Sequence, residues 1–356
     1  MKPRALIHGY FGMGNVGDEG TLNVLIEEIR SRGIKPIILS ACPNRTTRLH
    51  GVQSCPDRLS SPGFWKNFLR SSTLIFSGGG RYGKKTMRRM CILAILAKAL
   101  GKRVEFRALG IYPYEWIGFP IIANSPKPFN DPLTRALMKT AFTSADRVSV
   151  RDDFSKRVLI SSGVTKEVSL EEDLAFKLKP SSHGRSLQIL SKHGVNVSNK
   201  PLVGVNLRTL HPKARWKLVD TVSNFLDWLV ARGAEVVFTP FGYGSTPERF
   251  FDNDLIIANE LKKRMKNGDK LKVIDVEYTP QEILGIFRLF DLFVGMRFHS
   301  IIFSMMMEVP TIALVYDTKT LELLKKRDAP YCVSIAISEL DVSKLKKAVD
   351  AITEKA

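Results

Sequence analysis

The segment ALIHGYFGMGNVGDEG (residues 5–20) decides the fold. Its first six residues form an apolar run that reads as a buried strand. Glycines follow at the spacing Gly12-x-Gly14-x-x-Gly17, and a helical pattern runs from Asp18 to Arg32. A strand, a tight glycine turn and a helix N-terminus make the opening unit of a doubly wound parallel sheet. The spacing is also that of dinucleotide-binding loops. Such loops need an acid about 20 residues on, at the end of the second strand, to hold ribose hydroxyls. The second strand here ends IILSACPN, with no acid from Ile37 to Asn44. Arg45 or Arg48 would suit a 2′-phosphate, so spacing alone leaves NADP open. The loop is also polar, since Asn15, Asp18 and Glu19 crowd the mouth where a pyrophosphate would sit. Asp18 alone reads as a helix N-cap; the whole GNxGDE cluster asks for more.

Outward from this unit, short apolar runs alternate with helical patterns. Strands are expected at 35–40, 72–77 (ending at Gly78-Gly79-Gly80), 103–110 and 146–152, with a basic amphipathic helix at about 84–100. The segment from Pro180 to Lys200 is rich in Ser, Lys, Asn and Gly and reads as a linker or surface excursion. A second series then begins: strands at 201–207, 234–240, 271–275, 291–295 and 310–316, helices at about 214–232, 248–266, 280–289 and 297–307, and a last helix at about 338–354. The expected fold is α/β, two doubly wound Rossmann-like domains facing a cleft. Residues 1–180 make the first domain, 181–200 the linker and 201–356 the second. The last helix is a candidate to pack back on the first domain.

Bulk composition agrees with two globular domains. The chain has 356 residues, 44% hydrophobic and 25% charged, which suits about two cores. No opening segment reads as a signal peptide, and the most apolar run, Met90 to Leu100, contains Lys98 and falls short of the ~20 residues of a membrane span. Cys42, Cys55, Cys91 and Cys332 show no CxxC pairing and read as reduced thiols, so a cytoplasmic location is expected and no metal is implied. The charge is unusual: 54 Lys and Arg against 35 Asp and Glu, a net of +19. Such a field favours polyanionic partners. From Arg81 to Arg107 there are nine basic residues and one acid, Glu105. They read either as a solvated helix face or as a docking patch for a phosphorylated lipid carrier or an anionic membrane surface. No helix-turn-helix, RRM or zinc-finger pattern supports a specific nucleic-acid partner. No motif bears on oligomeric state.

The second half holds GMRFHSIIFSMMMEVPTIALVYDTK (residues 295–319). A strand hands over to a helix at Arg297, and Arg297 and His299 occupy the opening turn. A helix N-terminus attracts anions, an Arg adds a planar fork for carboxylate or phosphate, and a His gives or takes a proton near neutrality. The Met305-Met306-Met307 run reads as core.

Taken in order, GYFGMGNVGDEGTL (9–22), SGGG (77–80), ALGIYP (108–113), VSVRDDFSKRVL (148–159), GVNLR (204–208) and VGMRFHSIIFSMMMEVPTIALVYDTK (294–319) resemble the polysaccharide pyruvyl transferase family over about residues 5–325. The resemblance implies a GT-B-like fold and transfer of the pyruvyl group of phosphoenolpyruvate to two hydroxyls of a cell-surface glycan or lipid-linked sugar, forming a cyclic ketal and releasing phosphate. The first domain then serves the acceptor and part of the donor site, and the second holds phosphoenolpyruvate. No cofactor is implied beyond this donor. The resemblance assigns His299 as acid and Asp18 as base. Arg151, Arg297 and Arg208 sit at strand ends, where forked cations would hold a carboxylate and a phosphate. Gly14, Asn15, Gly17, Gly79, Gly80 and Arg81 complete the candidate binding set. For Arg151 the structural alternative is an ion pair with Asp152 or Asp153, and for Arg208 an ordinary surface position. Two positions depart from the family pattern: Arg81-Tyr82-Gly83 after the triple glycine, and Tyr112 in Gly110-Ile111-Tyr112-Pro113. Both bear on the acceptor. The alternative function is a GT-B glycosyltransferase using a nucleotide sugar, with Asp317 on the ribose.

Overall fold

The computed structural model describes residues 2–113, 127–197, 200–210, 212–244, 252–327 and 329–353, apart from the side chains of Arg81, Pro212, Lys213 and Thr353. The described residues divide into two compact units. The first contains 2–13, 18–113 and 127–177; the second contains 14–17 together with 178–353.

In the first unit the chain runs β1 (Arg4–His8), α1 (Val16–Ser31), β2 (Lys35–Ser40), α2 (Pro43–His50), β3 (Ser54–Pro56), α3 (Pro62–Arg70), β4 (Thr73–Ser77), β5 (Arg81–Tyr82), α4 (Lys84–Ala99), β6 (Arg103–Leu109), β7 (Tyr112–Pro113), α5 (Pro132–Ser144), β8 (Arg147–Val150), α6 (Asp153–Ser161) and β9 (Ser169–Leu170). Seven strands form one parallel sheet in the order β3-β2-β1-β4-β6-β8-β9. Strands covered on both faces read as continuous apolar runs, which is why TLIFS and ALIH were visible in the sequence. Leu6, Leu39, Leu74, Phe76, Val104 and Phe106 share one core with Phe64 and Phe68 of α3 and Met87, Met90, Leu93 and Ala94 of α4. The two helices therefore cover the same face of the sheet.

The second unit continues with α7 (His183–Lys192), β10 (Leu202–Asn206), α8 (Pro212–Val230), β11 (Glu235–Phe238), α9 (Asp254–Arg264), β12 (Leu271–Val273), α10 (Pro280–Phe287), β13 (Leu292–Gly295), α11 (Phe298–Met306), β14 (Thr311–Val315), α12 (Thr318–Lys326), β15 (Cys332–Ala336) and α13 (Val342–Thr353). Its parallel sheet has the order β12-β11-β10-β13-β14-β15. In both sheets the strand order reverses between the first strand and the fourth, at β1/β4 and at β10/β13. Such switch points are where open α/β sheets take ligands, beyond the strand carboxyl ends.

Two expectations are corrected. The 181–200 segment is not only a linker, because α7 lies in it. Ser182 caps this helix, accepting from Arg185 N–H at 3.3 Å, and the buried Ile189 and Leu190 anchor it. Arg185 pairs with Glu282 of α10 at 2.8 Å. The last helix, expected as a candidate to pack on the first domain, packs within the second unit. Leu345, Ala348 and Ile352 of α13 belong to the second unit's core, packed with α8, β14 and β15. Of the nine basic residues from Arg81 to Arg107, five stand in ion pairs. Arg88 meets Asp131 at 2.6 Å, Arg89 meets Asp57, Lys98 meets Asp146 at 2.9 Å and Arg103 meets Glu105 at 2.6 Å. Arg107 is buried between Glu28 and Glu171. Among the described residues, no helix is long and apolar enough to cross a membrane.

Candidate functional site

At the switch point of the second sheet, Asn206 ends β10 and fixes the neighbouring strand-to-helix turn twice. Its backbone carbonyl accepts from Met296 N–H at 3.0 Å, and its side-chain oxygen accepts from Arg297 N–H at 3.1 Å. Its amide donates to the Thr239 carbonyl at 3.0 Å. One fully buried Asn thus ties the ends of three strands together. Arg297 is the N-cap of α11, and its guanidinium is held by a buried carboxylate: Asp254, at the start of α9, accepts from both Nε and Nη2. Asp254 also accepts from Phe241 N–H at 3.0 Å and Gly242 N–H at 2.9 Å. A carboxylate gripped by two backbone amides is a rigid support for an Arg fork.

The glycine loop is built onto the same support. Within the second unit, Val16 N–H donates to the Phe241 carbonyl at 2.9 Å, and Tyr243 N–H donates to the Gly14 carbonyl at 2.9 Å. Asn15 faces Gly242 in an antiparallel bridge. The Asn15 side chain turns back and accepts from Gly17 N–H at 3.1 Å. Gly17 lies against the His299 ring so closely that a Cβ would overlap its Cγ and Nδ1. The two sequence motifs, GNxG and RxH, therefore meet through a single missing side chain. His299 is buried, 8% exposed, with its ring edge-on to Phe298 at 5.1 Å. Arg208 lies over the ring of the buried Tyr316 and donates to its hydroxyl at 2.9 Å. Burial opposes the Arg208 charge, but Tyr316, Asp252 and Asp254 outweigh it and raise the guanidinium above its ordinary value.

In the first unit, Asp18 stands in the first turn of α1, two residues past the helix start, so its N-cap reading is not what the structure shows. It accepts from Gly79 N–H at 3.2 Å, which puts the carboxylate on the triple-glycine turn at the β1/β4 switch point. Glu19 points the other way, accepting from Gly12 N–H at 2.7 Å and contacting His50 at 2.8 Å. It shapes the loop. The Gly80 carbonyl accepts from Tyr112 N–H at 2.8 Å. The backbone of Arg81 pairs with Tyr112, while its side chain lies outside the described residues. Tyr82 is buried behind the turn and donates to the Gly78 carbonyl at 3.2 Å. Burial pushes its hydroxyl up, with Arg151 lowering and Asp18 raising it further.

Arg151 is buried and donates to Asp173 at 2.9 Å, with Asp152 more distant at 3.6 Å. The expected partners were Asp152 and Asp153; Asp173 is the principal one. Burial opposes its charge, and Asp173, Tyr112 and Asp152 more than restore it. A Cβ at Gly110 would overlap this guanidinium, so that glycine admits the arginine. Tyr112 donates to Asp152, which places the departure from the family pattern beside Arg151.

Within each unit the structure joins what the sequence listed apart. Gly14, Asn15, Gly17, Arg297 and His299 adjoin in the second unit; Asp18 and Gly79 adjoin in the first. Reading the sequence missed Asn206, Asp254 and Asp173. One signal was present for Asp254. An Asn-Asp pair favours a helix start, yet the helix was expected from about 248; α9 starts at Asp254, and Asn253 caps it, accepting from Leu255 N–H at 3.0 Å. Asp317, the candidate ribose ligand of the alternative reading, is the N-cap of α12, accepting from Thr320 N–H at 3.2 Å.

Comparison with known proteins bears on the fold and the family. Over its full length the chain is similar in fold to UDP-GlcNAc 2-epimerase from Methanocaldococcus jannaschii, with TM-score 0.61, 12% identity and 98% and 92% of the two chains covered. It is likewise similar to E. coli ADP-heptose lps heptosyltransferase II, with TM-score 0.54, 13% identity and 100% of each chain covered. These identities speak for the fold alone, which is GT-B-like. In sequence it is 22% identical over 235 residues to the amylovoran biosynthesis protein AmsJ of Erwinia amylovora, covering 64% of this chain and 56%, little over half, of AmsJ. The family model for polysaccharide pyruvyl transferase matches residues 15–318, from the asparagine of the glycine loop to the start of α12. With GNVGDE and GMRFH at the switch points of two GT-B-like sheets, the chain belongs to the polysaccharide pyruvyl transferase family.

Proposed function

We propose that the protein transfers the pyruvyl group of phosphoenolpyruvate to two hydroxyls of a glycan or lipid-linked sugar. The carrying observation is the support under Arg297 and His299: Asn206 fixes the turn, Asp254 fixes the guanidinium and Gly17 seats the imidazole. A dianionic or trianionic donor suits an Arg fork at a helix N-terminus. Asp254 takes the Nε/Nη2 edge of Arg297, so the Nη1 edge is the one assigned to the donor phosphate or carboxylate. In the reaction His299 gives a proton to the methylene carbon of phosphoenolpyruvate. One sugar hydroxyl adds to the adjacent carbon, losing its proton to Asp18. The C–O bond to phosphate then breaks, phosphate leaving with the proton held by Asp18, and the second hydroxyl closes the ketal as its proton restores His299. Positive charge at Arg297 and the α11 N-terminus stabilises the departing phosphate. Arg208 and Arg151 are assigned to binding and positioning, each already oriented by a buried partner.

The test is a thermal-shift titration with phosphoenolpyruvate, NADPH and nucleotide sugars side by side. A ligand of the folded state raises the melting temperature with concentration. Stabilisation by phosphoenolpyruvate that disappears in Arg297→Ala is the expected result. Stabilisation by a nucleotide sugar alone would move the assignment to glycosyl transfer.

A further inference from the structure

No Asp or Glu occurs between Asp57 and Glu105, a stretch that holds the whole of α3 and α4. The acids that border it are engaged: Asp57 with Arg89, Glu105 with Arg103, and Asp131 of the next helix with Arg88. The outer faces of α3 and α4 are apolar as well as acid-free. Trp65 and Leu69 stand one turn apart on α3, with Leu69 61% exposed. Ile92, Leu96 and Leu100 follow at the same spacing along α4 and just past its end, all exposed. Singly exposed apolar residues are ordinary; a row at helical spacing on each of two helices that cover one face of a sheet is not. The helices share one face of the sheet through Phe64, Phe68, Met87 and Met90. Their ends are tied together, because Lys102 donates to the carbonyls of Leu69 at 2.9 Å and Ser71 at 2.7 Å. Exposed Lys66 and Arg70 run beside Trp65 and Leu69 on α3, and exposed Lys85 opens α4. The Trp65 indole N–H is satisfied locally by the Leu59 carbonyl at 2.7 Å, so the ring can enter an apolar layer without stranding a donor.

We propose that the outer face of α3 and α4 docks on an anionic phospholipid bilayer, with Trp65, Leu69, Ile92, Leu96 and Leu100 entering the interface and Lys66, Arg70 and Lys85 meeting the headgroups. Charge complementarity selects this occupant. An apolar row bordered by cations, with no acid between, suits a negative lipid surface. This assignment concerns α3 and α4 of the first unit and does not depend on the donor.

Vesicle flotation of the full chain tests it, with phosphatidylcholine vesicles and with phosphatidylcholine mixed with phosphatidylglycerol. The wild type is expected to float with the mixed vesicles, about tenfold or more above neutral ones, and to dissociate as salt rises. Leu69→Glu with Leu96→Glu is expected to weaken flotation by about tenfold. Lys66→Glu with Arg70→Glu keeps the apolar row, tests the charge separately, and should weaken it comparably. Melting temperatures confirm that the variants fold. Absence of wild-type flotation, or flotation unchanged in folded variants, would overturn the proposal. So would a dimer that Leu69→Glu dissociates while the wild type ignores vesicles, which would make this face a self-association surface. Since flotation needs no turnover, failure here is distinct from failure of the pyruvyl transfer assignment.

Discussion

At the scale of single residues, two positions support the side chains on which the proposed chemistry rests. Gly17 has no side chain, and the His299 ring fills the space. Gly17→Ala must therefore push the imidazole aside or open the loop. Removing a general acid costs roughly 10²–10⁴ in turnover. If His299 is that acid, Gly17→Ala should lose about 10²-fold in kcat, with a folded protein by circular dichroism, and His299→Ala added to it should lose little more. Full additivity of the two would show that Gly17 acts elsewhere. Asp254 is the second such position. Asp254→Asn leaves the buried Arg297 without its counter-charge, a loss that costs about 3–5 kcal/mol for buried pairs. The expected outcome is a lowered melting temperature together with a raised KM for phosphoenolpyruvate; an unchanged KM would detach Asp254 from donor binding. The sequence displayed these residues unequally. Gly17, Asn15, Arg297 and His299 stand in motifs whose spacing is local. Asp254 lies 43 residues from Arg297, and only the packing of α9 beside the β11 end brings them together. A long-range ion pair leaves no local period to read.

Among the secondary-structure elements, the central strands were legible because burial on both faces makes them continuous apolar runs. The short edge strands β3 and β9 were not, having only Ser54–Pro56 and Ser169–Leu170 to offer. α7 was hidden for a different reason. Its Ser, Gly, His and Lys content looks like a linker, and its helicity depends on a cap and on packing against α10 rather than on propensity. The end of β6 shows how elements share charge. Arg107, 1% exposed, lies between Glu28 and Glu171, and Ser149 donates to Glu171 as well. Burial opposes the Glu171 charge, but the hydrogen bonds from Arg107 and Ser149 and the charges of Arg107 and Arg147 prevail and bring it from 4.5 down to about 2. A carboxylate depressed in the folded state stabilises fully above its unfolded value and loses that contribution as pH falls through the folded one. The first unit should therefore lose stability as pH drops from 4.5 towards about 2. Glu171→Gln should lower the melting temperature at neutral pH and flatten the profile within that window. A slope identical to the wild type would show that other carboxylates govern acid unfolding.

For the molecule as a whole, the sequence marked two α/β series but not how the chain divides between them. The expected boundary was a single crossing near residue 180. In the structure, residues 14–17 group with the second unit, although β1 precedes them and α1, which starts at Val16, belongs to the first unit from Asp18 onward. Two hydrogen bonds hold them there, Val16 N–H on the Phe241 carbonyl and Tyr243 N–H on the Gly14 carbonyl, and together they make the Asn15–Gly242 bridge. Gly12, two residues upstream, is held instead by Glu19 of the first unit at 2.7 Å. The glycine motif thus changes allegiance between Gly12 and Gly14, which no periodicity can reveal because the cause is hydrogen bonding to residues over 200 positions away. Native-state hydrogen exchange can read this directly, since amides open with the cooperative unit they belong to. Leu314 is fully buried in β14 within the second unit's core. Leu314→Ala should cost about 2–5 kcal/mol through the cavity it leaves. The amide of Val16 should then exchange faster in step with those of β10 and β13, while Gly12 keeps its protection. If Val16 instead kept pace with Gly12, its bond to Phe241 would not govern its opening, and the loop that seats His299 would belong to the first unit in energy as well as in sequence.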